Sequence, residues 1–553
     1  MKNAERLLTI LILSFLISCQ GKKTDKISSI SNIDLLTGEI TLCGNGDFGE
    51  VSFAQSCKLD ARSTFDLAIS LLHSFEYTEA EKAFAKVLEI DPKCAMAYWG
   101  VAMSNFHSLW LQSGTDYLIK GEKALKIANS ISTDKRETAY IHALATFYDD
   151  WENKNHQVRV RLFEEEMQKV YQTYGDDKEA AIFYALALRA TADPTDKTYA
   201  VQRKSGKILE SIYPNQPNHP GIAHYLIHNY DYPELAELAL PTARMYAQIA
   251  PASAHAQHMP SHIFTRLGLW DESINSNINS TESALCYSQS IDPQAHWDEE
   301  LHGMDYLVYA YLQKGDMQKA YDEFEYLKSF KKVFPVNFKV AYTAAAIPAR
   351  IALESRNWKE AAVLQKPGMV LDWNLMPWQE SILIYARAMG SIRMGNIKDS
   401  KVELEKLIAN RQKLLKEEDA YKANQVNIQI KTIEAWIALA ENQVPEAIEE
   451  MRKAAEMEYN TNKHPVTPGE VLPAGEVLGD MLLVVDQPEE ALVAYEYDLK
   501  QHPNRFNGIF GAATAARNSG QKELANSYFK QLIELGNDSE RPEMAIAKAY
   551  LKK

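Results

Sequence analysis

The sequence carries no surplus of basic side chains. Its 59 Lys and Arg stand against 74 Asp and Glu, a formal net charge of −15, which argues against the basic face that nucleic-acid phosphates require. Strand signals are nearly absent, so the reading is all-α. There is no Gly-rich phosphate loop, no G-x-S-x-G elbow and no C-x-x-C pair. Phosphate cradling, and nucleophilic catalysis by Ser or Cys, therefore have no basis in the chain. Beyond the N-terminus no segment is apolar for long enough to cross a bilayer. Cysteines are scarce, five in 553 residues, and the 46% hydrophobic and 24% charged content is that of an ordinary globular protein.

What is present begins at the N-terminus. Lys2 and Arg6 flank a short apolar run, Leu7 to Ile17, that closes on L-I-S-C at Leu16 to Cys19. The run is too short to span a bilayer and has the layout of a secretory signal. Its ending resembles a bacterial lipobox, which implies removal of residues 1–18 and lipidation of Cys19. Residues 19–60 then read as a lipidated tether carrying a Gly-rich loop, G-N-G-D-F-G, between Cys43 and Cys57. A disulfide across that loop is one pairing that export to an oxidising compartment would permit. Cys94 and Cys286 lie on apolar helical patterns and read as buried thiols.

From about residue 61 to 553 the chain repeats itself. Phe65 to Pro92 reads as helix, tight turn, helix and closing proline, with Ala68 and Ala80 at the helix contact and Phe84 and Leu88 filling it. Turns marked by glycine recur at Thr265–Asn277, Tyr311–Phe324, Met394–Leu404 and Ala516–Phe529. Versions without glycine run through Leu353–Ala362 and Val485–Leu492, and Lys463–Gly475 is a degenerate, proline-containing unit. This grammar resembles the tetratricopeptide repeat. The resemblance implies an all-α solenoid of helical hairpins, a right-handed superhelix of roughly ten pairs. The strings A-M-A-Y-W-G, H-Y-L-I-H, H-M-P-S-H-I-F-T-R-L-G and N-R-F-N-G-I-F-G-A-A look like those of a group of mostly uncharacterised bacterial tetratricopeptide proteins, which implies a shared site without naming an activity.

Eight of the fourteen histidines fall between residues 219 and 305: His219, His224, His228, His255, His258, His262, His296 and His302. Pro220 suits the first turn of a helix, which puts His224 and His228 four apart on one face. Pro260 opens a second helix with His262 in its first turn and His258 in the loop before it. Asp298 to Glu300 start a third, carrying His302 and Asp305. First helices of successive units lie side by side about 8–10 Å apart. His224, His228, His262 and His302 are thus expected in one patch, with His258 and Asp305 at its edge. Nitrogen-rich ligation suits Zn, Cu or Fe, and Asp305 is placed either as a ligand or as a group orienting His302. The alternative is that these imidazoles are polar fillers hydrogen-bonded between helices. Outside the cluster, His73, Glu76 and His107 read as capping or packing groups. Tyr225 and Tyr306, with Tyr230 and Tyr309, flank the histidines, and Arg505 and Glu476 are candidate groove charges.

Two functions from different classes follow. One is a lipid-anchored envelope protein, on either face of an outer membrane, whose groove binds a protein or peptide partner and scaffolds an assembly. The other is a metal-binding protein or metal-dependent enzyme built on the histidines. A third, the accessory lipoprotein of a polysaccharide-utilisation system, rests on composition alone. Ligand, metal, reaction and oligomeric state are not written in the sequence, nor is whether the protein is an enzyme.

Overall fold

The computed structural model describes residues 33–552 apart from 44–45, 108, 110–113, 132, 370 and 538. Cys19 and the signal-like run lie outside the described residues. The chain forms two compact units, one of residues up to 40 with 50–191, the other of residues 41–49 with 192–553. Among the described residues no helix is long and apolar enough to cross a membrane.

The first unit holds α1 (Arg62–His73), α2 (Tyr77–Ile90), α3 (Ala95–Phe106), α4 (Thr115–Ser130), α5 (Lys135–Tyr148), α6 (His156–Thr173) and α7 (Lys178–Ala190). The expected hairpin at Phe65–Pro92 is α1 and α2. Each helix packs on the next, and first helices touch across hairpins, α1 on α3 and α3 on α5. Residues 50–60 are not a loose tether. Phe53 is buried against Phe65, Trp99, Tyr140 and Phe183, and Cys57 is disulfide-bonded to Cys94. His73 is buried with its Nε2 3.0 Å from Glu179 Oε2. His107 ends α3 in the left-handed region, its ring against Tyr77 and Tyr117, and Glu76 occupies the N-cap position of α2. All three sit as packing or end-of-helix groups.

The second unit runs through α8 (Ala200–Ile212), α9 (Pro220–Tyr230), α10 (Ala236–Ile249), α11 (Ala254–His258), α12 (Pro260–Arg266) and α13 (Trp270–Ile291). It continues with α14 (Asp298–Lys314), α15 (Met317–Lys328), α16 (Phe338–Glu354), α17 (Trp358–Ala361), α18 (Pro377–Arg393), α19 (Ile397–Lys416) and α20 (Ala420–Ala440). The last helices are α21 (Val444–Tyr459), α22 (Ala474–Val484), α23 (Pro488–Gln501), α24 (Phe506–Asn518), α25 (Lys522–Leu535) and α26 (Pro542–Leu551). Two three-residue strands, β1 (Ala295–Trp297) and β2 (Lys332–Phe334), pair in parallel with Ala295 opposite Lys332. First helices again pack on first helices: α14 on α16, α16 on α18, α18 on α20, α20 on α22 and α22 on α24. Each unit is all-α and built of stacked helical hairpins in the manner of a tetratricopeptide solenoid.

Turn chemistry explains the hairpins. The glycine turns place Gly268, Gly315, Gly395 and Gly520 at positive φ, and the versions without glycine put Arg356 and Asp486 there instead. At Gly268 a side chain is barred twice over. Its φ is +65°, and a Cβ would lie 2.5 Å from the carbonyl oxygen of Pro503. That contact belongs to a return of the second unit upon itself, where Trp270 Nε1 donates to the Asn504 carbonyl at 2.7 Å and α14 meets α24.

Arg505 closes the same return, and so is not a groove charge. It is fully buried, donating from Nε to Glu476 at 3.0 Å, from Nη2 to Glu354 at 2.6 Å and from Nη1 to the Tyr309 hydroxyl at 3.1 Å. Cys43 pairs with Cys286 of α13. The expected Cys43–Cys57 bridge is therefore not the pairing found, and neither Cys94 nor Cys286 is a free thiol. A covalent tie across 243 residues of sequence leaves no local spacing by which to read it.

Candidate metal centre

The histidines gather at the start of the second unit. Pro220 opens α9 at the position where a missing N–H costs nothing, and His224 and His228 follow one turn apart. Ser253 caps α11 by accepting from the Ala256 N–H at 3.1 Å. Met259 keeps helical backbone angles into α12. Residues 254–266 are thus nearly one helix, and His255, His258 and His262 recur on it at i, i+3 and i+7, one face. His258 ends a helix rather than lying in a loop. His302 projects from the second turn of α14, and the neighbouring Gly303 lets α14 approach α13, since a Cβ there would stand 2.9 Å from the Thr281 methyl.

These rings form two adjoining triads within one patch, and His255 and His258 belong to it as well. In the first, His224 Nε2 lies 2.9 Å from His228 Nε2 and 3.0 Å from His255 Nε2. In the second, His258 Nε2 lies 3.0 Å from His262 Nε2, and the His302 ring centroid is 4.1 Å from that of His258. Within each triad one nitrogen from every histidine falls within 4.8 Å of the others, so each could hold a metal ion. All but His255 are buried.

The outer nitrogens decide the chemistry of the inner ones. His262 Nδ1 is 3.0 Å from Asp231 Oδ2, and His258 Nδ1 is 2.7 Å from Asn277 Oδ1. The Asn277 amide is oriented by its own donation to the Ser273 carbonyl at 2.7 Å, which leaves its oxygen toward His258. Asp231 is buried, which works against its charge, yet Lys463, Arg266 and His262 hold it ionised, well below the usual carboxylate range. A carboxylate and an amide oxygen only accept, so both rings donate from Nδ1. Their Nε2 atoms then present lone pairs to each other at 3.0 Å.

Two lone pairs cannot hydrogen-bond, and a second proton is disfavoured. Burial pushes His262 down to about 4 against the pull of Asp231, while burial and the neighbouring rings hold His258 and His302 well below their ordinary range. Neutral imidazoles with converging lone pairs and oxygen-anchored Nδ1 atoms are the donor set a transition metal takes. In the first triad a carboxylate stands farther off, Glu299 Oε2 lying 3.7 Å from His255 Nδ1, beyond hydrogen-bond length.

Other expected members separate from the centre. Asp305 is neither ligand nor partner of His302; its carboxylate accepts from Arg350, and burial lifts it to about 6 against that cation. Tyr225 is buried beside His224 as core. Tyr306 stays close, its hydroxyl 3.3 Å from His262 Nδ1 and donating to the Thr467 carbonyl at 3.0 Å. His296 is turned away, stacked on Phe330 with Nδ1 2.9 Å from Glu300, and His219 occupies the N-cap position of α9.

The stretch 460–473 crosses this unit's first helices as irregular backbone. Lys463 reaches Asp231 at 3.1 Å, Tyr421 donates to the Asn462 carbonyl at 3.0 Å, and Arg350 donates to the Gly469 carbonyl at 2.9 Å. His464 packs among Phe338, Trp378 and Tyr421.

No family model matches the sequence, and no curated protein matches it. Solved structures give low-scoring similarity. The human IFIT1 dimer with m7Gppp-AAAA is 13% identical, with 88% of this chain and 96% of that chain covered at a TM-score of 0.37. The APC/C hetero-tetramer Cut9-Hcn1 is 12% identical over 90% and 77%, with a TM-score of 0.33. Yeast Tom70 is 12% identical over 89% and 95%, also at 0.33. At such scores the likeness says nothing of what this chain binds.

The residue that sequence reasoning passed over is His255. Pro260 marks a helix start and leaves the short capped helix before it without a proline signal of its own. Ser253 followed by Ala-His-Ala-Gln-His is the cap signal that would have placed His255 and His258 on one face.

Proposed function

We propose that the protein is a metal-binding protein whose two histidine triads hold transition-metal ions. The observation that supports this reading above all is the 3.0 Å approach of two Nε2 atoms whose rings both donate from Nδ1. An ion between them replaces lone-pair repulsion with two bonds. Nitrogen-only ligation suits Zn, Cu or Fe, and the Asp231–His262 contact is the carboxylate support that sets a ligating imidazole's tautomer. A three-histidine site keeps a position open for water or another small ligand.

The scaffold reading draws on the repeat architecture, whose concave faces grip extended partners. In the second unit the chain's own 460–473 stretch lies along the first helices, where such a partner would run. We therefore favour metal binding there and place any protein partner elsewhere. Envelope anchoring through Cys19 rests on the L-I-S-C ending, and two disulfides suit a chain exported to an oxidising compartment.

The test is metal content of full-length protein purified without a polyhistidine tag and offered Zn, Cu or Fe at neutral pH. Retention after gel filtration, lost in a His258→Ala/His262→Ala variant that still shows wild-type helicity, supports the reading. Failure to take up any of the three ions refutes it.

A further inference from the structure

The six rings are one cluster. Within the triads ring centroids are separated by up to 6.2 Å, as between His228 and His255 or His262 and His302. Across the triads the separations are hardly larger, 6.4 Å for His255 to His258 and 6.5 Å for His228 to His262. The division falls on a single helix. His255 and His258 hang from α11 three residues apart, and each serves a different triad. Groups one turn apart on a helix face are about 5–6 Å from each other, so ions held by these two rings lie at a separation of that order.

Resting on the metal-binding reading above, we propose that the two triads form one dinuclear centre that takes a small bridging anion between its ions. Each ion has three imidazoles and no carboxylate of its own, so both need a further ligand, and a shared one satisfies both. The ligand must be small. Five of the six histidines are at most 6% exposed, and the partly exposed members are His255 and its neighbour Glu299, with 17% and 14% side-chain exposure. Solvent reaches the cluster along that edge, which suits a small anion able to bind end to end, such as azide, and bars a bulky organic substrate.

Copper and azide test this on the intact protein. The full-length chain is loaded with Cu(II), copper per chain is measured, and the electron paramagnetic resonance signal is integrated before and after azide. A dinuclear centre binds two coppers per chain, and one equivalent of azide per pair brings the integrated spin well below half of the copper present. A His224→Ala variant that folds takes one copper with its full spin.

Two coppers with full, unperturbed spin would overturn the dinuclear proposal and leave metal binding intact, as would one copper per wild-type chain. Coupled coppers indifferent to azide would overturn the bridging-ligand part. No copper, zinc or iron bound at all would remove the metal reading itself. The wild-type spin count decides the matter even where the variant does not fold.

Discussion

His258 and His262 face each other through Nε2 atoms 3.0 Å apart, while Asn277 and Asp231 hold their Nδ1 atoms from behind. That relation is unfavourable for two neutral rings alone and favourable for two ligands of one ion. It also says which residues outside the triad matter.

Asn277→Ala removes the acceptor that fixes His258. The ring is then free to take the other tautomer, which turns an N–H toward the ion. Loss of an outer partner of this kind costs about 10–100-fold in metal affinity, measured by competition with a chromophoric chelator. Unchanged affinity would mean that Asn277 does not orient the ring.

Non-reducing peptide mapping should recover Cys43 joined to Cys286 and Cys57 joined to Cys94. Cys286→Ser opens a tie across 243 residues of sequence and should cost about 2–5 kcal/mol in denaturant unfolding. Recovery of a Cys43–Cys57 peptide would contradict the pairing.

Arg505 lies between Glu354 and Glu476 with no exposure. Removing it strands two buried carboxyl groups, so Arg505→Ala should destabilise the second unit by about 3–5 kcal/mol. Urea unfolding followed by tryptophan fluorescence reads this directly, and a loss under about 0.5 kcal/mol, the size of an ordinary surface substitution, would mean the clasp is idle.

His502 gives a pH signature. Burial works against its charge, but Asp498 at 3.1 Å and Glu470 at 2.8 Å hold it well above its ordinary range. A raised folded value means its stabilisation is complete below about 6.5, the unfolded value, and fades as pH rises through the folded one. Its partner runs the other way. Burial opposes ionisation of Glu470, yet His502 brings it down to about 2, so its share is lost only in acid. The stability gap between wild type and His502→Asn should be larger at pH 6 than at pH 9, and an equal gap would refute the pairing.

The hairpins were legible because their turns demand special backbone. Gly268, Gly315, Gly395 and Gly520 all occupy positive φ, and the glycines announce it. The places of His224, His228, His262 and His302 on their helix faces were legible because prolines and acidic first turns fixed where their helices begin. What could not be read were distances between helices, hence the division of that patch into two triads. Asp305, one turn beyond His302, belongs to Arg350, 45 residues away. Nor does repeat grammar explain the 460–473 stretch. Its proline and glycine marked it as irregular, without saying that Lys463 would reach back to Asp231.

X-ray absorption on the metal-loaded, tag-free protein reads the ligand shell itself. The expected first shell is nitrogen at about 2.0–2.1 Å for zinc, with the outer scattering of about three imidazoles per ion. A shell dominated by oxygen or sulfur, or one without imidazole scattering, would contradict it.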